Sequence, residues 1–351
     1  MESDTITVGV LGASGYGGGE VVRLLADHPS FDVRVVAAHA SVGQALAAVH
    51  PHLAGLPQGG LTLEAVDAPS IAERVDLVFS ALPNGTSSTV APALLAGGTL
   101  VVDLAGDFRL PAEDYPSWYG FEHPAPAWLD EAVYGLPELF SGAVAGAKLV
   151  ASPGCFPTPA ILGLAPLLTA GLVEPGTIRV DGKTGTSGAG RAAVESTSFA
   201  ATDGSIRPYR APGHQHTPEI ERGLALASGH EVTVLFVPHL VPTVRGVVVT
   251  AYAPLVAGVD TEALTACLAA AYEGQPFVRV LPAGEMVDAK RTRGSNVVEL
   301  QAFADPRTGT AVVVGAVDNL IKGAAGQAIQ NANLLVGLPH ETGLLTTAVA
   351  P

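Results

Sequence analysis

A cysteine set in a glycine–proline loop, Ser152-Pro153-Gly154-Cys155-Phe156-Pro157-Thr158, lies between a strand-like run, Lys148 to Ala151, and a helix-like run, Pro159 to Leu168. A thiol at a helix N-terminus meets unsatisfied backbone N–H groups and the positive end of the helix dipole, and both favour the thiolate. Gly154 lets a ligand approach the backbone closely. A thiolate needs a proton shuttle, and His216-Thr217-Pro218-Glu219 offers one. With Pro218 opening a helix, His216 falls in its first turn and Glu219 shares its face. Cys155, His216 and Glu219 are therefore the candidates for covalent acyl chemistry: a nucleophile, an acid–base group and a carboxylate to orient it. His214 titrates as readily as a residue type, and His216 is preferred because it borders the helix start. Cys267 lies in an apolar helical pattern without a loop or a glycine, and reads as a small buried hydrophobe.

Chemistry of this kind needs something to carry electrons or water to the acyl group, and the start of the chain points to a dinucleotide. Gly9-Val10-Leu11-Gly12-Ala13-Ser14-Gly15 fits G-x-x-G-x-x-G. It follows a β-branched run, Thr5 to Leu11, and precedes a helix expected over Val21 to His28 and a strand over Val33 to Ala38. Strand, glycine turn, helix and strand in that order form a mononucleotide-binding unit, with the phosphates received at the helix N-terminus. Gly12, Ser14, Gly15, Tyr16 and Gly17 are its candidate contacts. An NAD site places Asp or Glu at the end of the second strand. Here the chain reads Ala37-Ala38-His39-Ala40-Ser41, so NADP(H) is the expected cofactor and Ser41 a candidate contact.

Three arginines stand beside glycine: Arg109 after Gly106-Asp107-Phe108, Arg191 after Ser187-Gly188-Ala189-Gly190, and Arg245 before Gly246. An arginine is more often half of a surface ion pair, but in these settings each is also a candidate fork for a carboxylate or phosphate. The loop from Gly182 to Gly190 adds backbone donors able to cradle an anion.

Composition bounds the partners. The 351 residues include 48% hydrophobic and 15% charged side chains, which describes a folded globular protein with room for two domains. A formal charge of −15 argues against nucleic acid or an anionic membrane as a general partner. Two cysteines in unlike settings speak for a reducing compartment, without a disulfide framework. Met1-Glu2-Ser3-Asp4 is acidic and leads directly into a strand, so it reads as no signal peptide. Leu149 to Val173 contains no charge, but Pro153, Pro157, Pro159 and Pro166 interrupt it; it reads as a buried strand, loop and helix. The chain is expected in the cytoplasm, with no metal site.

Further buried strands, Leu77–Ser80 and Leu100–Asp103, extend a parallel sheet with helices on its faces. Residues 105 to 147, rich in proline, glycine and aromatics, read as a long functional connection. After Cys155, longer β-branched strands appear at Thr177–Val180, Val232–Val237, Gly246–Tyr252, Phe277–Leu281, Asn296–Phe303 and Ala311–Val317. Few helices separate them, which implies a second domain with a mixed or antiparallel sheet. A small-residue helix, Lys322 to Leu335, closes the pattern.

These segments together carry a resemblance. Gly12-Ala13-Ser14-Gly15-Tyr16, Asp107-Phe108-Arg109-Leu110, the Cys155 loop, Ser187-Gly188-Ala189-Gly190-Arg191, His216-Thr217-Pro218-Glu219, Pro238-His239-Leu240-Val241-Pro242, Arg245-Gly246 and Asn319-Leu320-Ile321-Lys322-Gly323-Ala324-Ala325-Gly326-Gln327-Ala328 follow one another as in the N-acetyl-γ-glutamyl-phosphate reductases. That family resembles in turn the aspartate-semialdehyde and glyceraldehyde-phosphate dehydrogenases. The resemblance implies an α/β fold: a Rossmann domain over 1–150 with 320–351, and over 151–319 a mixed-sheet domain of the glyceraldehyde-phosphate-dehydrogenase C-terminal type, for catalysis and oligomerisation. It implies NADPH-dependent reduction of a small anionic acyl phosphate through a Cys155 thioester, in arginine biosynthesis, by a homodimer or homotetramer. It adds Pro83, Gly188 and Asn319 as cofactor contacts, and Ser187, Arg191 and His239 beside Arg109 and Arg245 as substrate contacts. The chain departs from the family pattern at Gln215, Asn84, Ala105 and Gly106. A related reductase of lysine biosynthesis, acting on a carrier-bound aminoadipyl phosphate, is the nearest alternative, and the acidic charge balance argues against such an acidic carrier. A cysteine hydrolase needing no cofactor is a further one.

Overall fold

The computed structural model describes residues 5–349; Met1–Asp4, read above as no leader, and Ala350–Pro351 lie outside them. The chain forms two compact units. One comprises the chain up to Pro153 together with Ala324–Leu345; the other comprises Gly154–Gly323 and the residues from Thr346 on.

In the first unit, β1 (Ile6–Leu11), β2 (Phe31–Ala37), β3 (Leu77–Ser80), β4 (Leu100–Asp103), β5 (Ala132–Tyr134) and β6 (Leu149–Ala151) pair in the order β2-β1-β3-β4-β6-β5, all parallel. All four residues of β3 are buried, as expected of strands covered on both faces. Ile71, Leu94, Leu95 and Phe108 pack with Val35, Val78 and Val101 in one apolar cluster.

Two expectations for this unit need correction. The first helix runs Tyr16–Leu25 and not from Val21, so it takes in Gly17, Gly18 and Gly19. Packing decides this: a Cβ on Gly18 would stand 2.5 Å from the Gly12 carbonyl oxygen, and one on Gly19 2.6 Å from the His50 ring. Close approach outweighs the poor helix propensity of glycine. Residues 105 to 147 are also more than a connection, since they supply edge strand β5 and a helix, Pro137–Val144. Within them Tyr115, Tyr119, Phe121 and His123 stack against one another.

In the second unit, β7 (Thr177–Thr184), β8 (Arg207–Pro208), β9 (Thr233–Leu240), β10 (Val247–Pro254), β11 (Val278–Val280), β12 (Val298–Asp305) and β13 (Thr310–Val317) form a mixed sheet ordered β11-β12-β13-β10-β7-β9-β8. Burial alternates along β7 and β9, with Ile178, Val180, Gly182, Val234 and Phe236 on the covered face. The Pro157–Thr169 helix, buried from Pro157 to Leu168, lies on that face against β10, β12 and β13. Glycines again allow the approach: a Cβ on Gly163 would come 2.7 Å from Val313, and one on Gly315 2.9 Å from Pro159. The opposite face is open, with Leu235 45% and Tyr252 38% exposed.

Candidate active site

Cys155 precedes the Pro157–Thr169 helix, as its glycine–proline setting predicts, and stays partly accessible. His216 is the first residue of a second helix, His216–Ser228. Both chain neighbours of Cys155 are tied to the start of that helix. The Gly154 N–H donates to Glu219 Oε1 at 2.7 Å, and the Phe156 ring lies edge-on to His216 at 6.0 Å and to His214 at 6.2 Å. Glu219 is fully buried. Its carboxylate therefore holds the nucleophile loop, a contact that its placement one turn after His216 does not reveal. Gly323, in the Lys322-Gly323-Ala324 segment, backs the cysteine so closely that a Cβ there would stand 2.7 Å from Cys155 Cβ.

The two histidines differ sharply. His214 is 4% exposed, and burial, followed by the neighbouring His216 and Arg210, pushes its pKa down to about 2. His214 is thereby held neutral, and His216 remains the candidate acid–base group. Tyr209, unremarked in the sequence, stands beside this group with its ring 5.6 Å from that of His214. Burial and then the charge of Cys155 raise its phenol above the ordinary range. Cys267 donates from Sγ to the Pro166 carbonyl at 3.5 Å, and burial raises its thiol, so it is inert packing.

A second constellation lies in the same unit. Asn319 accepts from Gly246 N at 2.8 Å through Oδ1 and donates to Ser187 Oγ at 2.9 Å through Nδ2. Gly188 packs beside it. Arg245 Nη1 lies 3.4 Å from Asp318 Oδ2. Ser187, Gly188, Arg245 and Asn319 are thus brought together.

The remaining candidates have their own surroundings. His239 follows the alternation of β9 onto the face opposite Phe236 and Gly182, where its Nδ1 lies 3.1 Å from Asp181 Oδ1. Sheet pleating turns it away from the face that carries Phe156. Arg109 is 5% exposed inside the first unit, and its Nη2 donates to the Leu104 carbonyl at 2.9 Å. Arg191 is exposed and follows Gly190, whose φ is +85°. The departures from the family pattern acquire partners: Asn84 Oδ1 accepts from Gly106 N at 2.9 Å, and Gln215 Oε1 accepts from Arg210 Nη1 at 2.7 Å. Gly106 is required, because a Cβ there would drive into the Tyr119 hydroxyl.

The glycine turn fits a dinucleotide. Gly12 has a φ of +75°, and a Cβ on it would collide with the Ala81 carbonyl oxygen. Gly15 caps the Tyr16–Leu25 helix, whose first turn faces an incoming phosphate as N–H groups. Ser41 lies in the loop four residues past β2 with a φ of +68°, a left-handed conformation uncommon for a non-glycine residue. Pro83 is exposed in the loop after β3.

Comparison with known proteins agrees with this geometry. Residues 7–147 match the semialdehyde dehydrogenase NAD binding domain, and residues 155–319 the semialdehyde dehydrogenase dimerisation domain. An N-acetyl-gamma-glutamyl-phosphate reductase of Desulforamulus reducens is 44% identical over 99% of this chain and 100% of its own length. The chain belongs to the N-acetyl-gamma-glutamyl-phosphate reductase family. A second member, from Symbiobacterium thermophilum, is 47% identical over 97% of this chain and 98% of its own. The aspartate semialdehyde dehydrogenase II of Vibrio cholerae, solved with ASA, aligns at a TM-score of 0.73 over 95% of this chain and 99% of its own, at 18% identity, which is a likeness of fold. The reductase family fixes the class of the chain: an oxidoreductase of the semialdehyde dehydrogenase type with a Rossmann domain for a nicotinamide dinucleotide. Among the described residues no helix is long and apolar enough to cross a membrane.

Proposed function

We propose that this protein reduces N-acetyl-γ-glutamyl phosphate to N-acetyl-glutamate 5-semialdehyde and phosphate with NADPH, a step of arginine biosynthesis, through a thioester on Cys155. The observation that carries the mechanism is the pair of ties from Gly154 and Phe156 to the helix that begins at His216. They flank the thiol and tie its loop to the helix that carries the acid–base group.

When bound, NADPH supplies a hydride to the acyl carbon. The chain's own residues do the rest. His216 takes the proton of Cys155, and Sγ bonds to the acyl carbon as the carbon–oxygen bond to phosphate breaks. Collapse of the reduced adduct then breaks the carbon–sulfur bond, returns the electron pair to Sγ and frees the aldehyde, with His216 returning its proton. Gly154 N–H is committed to Glu219, so the developing oxyanion falls to the N–H groups of Cys155 and Phe156. Arg245 and Ser187 are the contacts for the anionic substrate. Gly12, Ser14, Gly15, Tyr16, Gly17, Ser41 and Pro83 hold the dinucleotide, and Gly188 and Asn319 are the further cofactor contacts that the family resemblance implies. NADP(H) is the form used, since β2 ends without a carboxylate to oppose a 2′-phosphate.

The first unit is the dinucleotide-binding domain and the second the catalytic and oligomerisation domain. A homodimer or homotetramer forms through the open sheet face, where Leu235 and Tyr252 are exposed. Two free cysteines suit the cytoplasm.

Absorbance at the nicotinamide band, with N-acetyl-glutamate 5-semialdehyde, NADP and phosphate, tests the reading in the reverse direction. Reduction of NADP that requires phosphate is expected. Turnover without phosphate, equal use of NAD, or a clear preference for a carrier-linked aminoadipate semialdehyde would overturn it.

A further inference from the structure

Beside the proposed base stands a histidine that the chemistry above leaves unused. His214 is enclosed by the ring edges of Phe156, Tyr209 and Phe236, at 6.2, 5.6 and 5.3 Å. Its Nδ1 accepts the backbone N–H of His216 at 3.1 Å, and its carbonyl accepts that of Thr217 at 2.9 Å. These are the first two N–H groups of the His216–Ser228 helix, which have no partner inside the helix. Gln215, at the capping position, makes no side-chain cap. His214 therefore does from one residue earlier what a capping side chain does.

The contact also sets a tautomer. A ring nitrogen that accepts carries no proton, so the neutral imidazole of His214 is protonated on Nε2. A charged ring has no acceptor and would release the His216 N–H. Tyr209, Arg210, His216 and Glu219 are the ionisable groups around the ring; burial, then His216 and Arg210, keep it neutral against the opposing pull of the Glu219 carboxylate. The rings of His214 and His216 lie 4.7 Å apart at 64°, so the capping ring also walls one side of the base.

We propose that His214 is a positioning residue for the reaction: as a neutral acceptor it pins the first residue of the helix, and so sets where the His216 imidazole stands relative to Cys155. The proposal rests on His216 as the acid–base group. It differs from a purely structural role because the consequence of losing it lies in proton transfer and not in substrate or cofactor binding.

The test compares His214→Asn, which offers an amide oxygen of the kind favoured at helix starts, with His214→Phe, which fills the space and accepts nothing. His214→Asn is expected to retain kcat to within about threefold of the parent, since an asparagine can cap. His214→Phe is expected to lose on the order of 10²-fold in kcat, the scale of a misplaced catalytic group, with KM for both substrates nearly unchanged. The rate of Cys155 alkylation by iodoacetamide against pH, followed by mass spectrometry, should change its profile in His214→Phe and keep it in His214→Asn. Parent-like kcat and profile in His214→Phe, or an equal loss in both variants, overturns the proposal. His216→Asn run alongside separates the two readings: an active His216→Asn enzyme defeats the choice of base, whatever His214 does. If His214→Phe fails to fold, the Asn variant decides alone, because a loss of kcat or a changed profile there contradicts the capping role.

Discussion

Gly154 and Glu219, separated by 65 positions in the chain, are joined by one short hydrogen bond: the glycine N–H donates to the buried carboxylate at 2.7 Å. The bond ties the loop of the proposed nucleophile to the helix that begins at the proposed base, His216. Removing the acceptor strands a buried N–H, which costs about 1–3 kcal/mol. Glu219→Ala is expected to lower the melting temperature and to reduce kcat by on the order of 10²-fold. Glu219→Gln keeps an acceptor of the same length and should recover most of both. Calorimetry and steady-state kinetics read the two effects, and a Gln variant as impaired as Ala would mean that the charge and not the tie is what matters.

Cys155→Ser should abolish reduction and leave NADPH binding nearly intact. A serine hydroxyl at neutral pH is a far weaker nucleophile than a thiolate, and the glycine turn that suits the dinucleotide belongs to the other unit. His216→Asn should fail in the same way. Turnover assays paired with nicotinamide fluorescence titrations check both halves, and appreciable turnover by the serine variant would end the thioester mechanism.

Two glycine variants should separate binding from chemistry. Gly12→Ala forces a side chain onto a φ of +75° against the Ala81 carbonyl, a strain of about 1–3 kcal/mol at a position proposed to touch the cofactor. It is expected to weaken NADPH binding severely. Gly323→Ala instead presses on Cys155, with its Cβ 2.7 Å from that of the cysteine and 3.1 Å from its Cα. Its expected signature is a loss of kcat with cofactor affinity retained. Titration calorimetry with NADPH distinguishes them, and the reverse assignment would refute the placement.

Stability should fall on the acid side partly because of His214. Its pKa in the folded protein is held near 2, below the ordinary histidine value, so the folded state refuses a proton that the unfolded chain accepts. The contribution is complete above about pH 6.5 and erodes as pH falls, by up to about 1.4 kcal/mol per pH unit. Asp103 acts in the opposite sense. Burial and then Asp107 raise its pKa to about 7, so the folded state keeps a proton that the unfolded chain releases between about pH 4 and 7, and stability is lost as pH rises through that window. Urea titrations at pH 5 and pH 7 should show His214→Asn less acid-sensitive than the parent and Asp103→Asn less sensitive to the rise toward neutrality. Parallel pH curves for parent and variants would exclude these groups as the source.

Features that depend on neighbours along the chain were legible in the residues alone. The strand, glycine turn and helix at the start, the glycine–proline loop around Cys155, and the helix opening at His216 are all written in local patterns. Their conformations follow from backbone sterics and short-range periodicity. Which distant groups meet is a matter of packing. That Glu219 holds Gly154, that Gly323 backs Cys155, and that Asn319 joins Ser187 to Gly246 follow from the packing of helices on a mixed sheet. A period of two tells which residues of β9 share a face with His239, but not which face carries the site. The difference between His214 and His216 was equally hidden. Both flank Gln215, and it is enclosure by Phe156, Tyr209 and Phe236, followed by the charges of His216 and Arg210, that keeps His214 uncharged. The desolvation that fixes a protonation state is a property of the surrounding volume, and it arises only when the chain has folded around the ring.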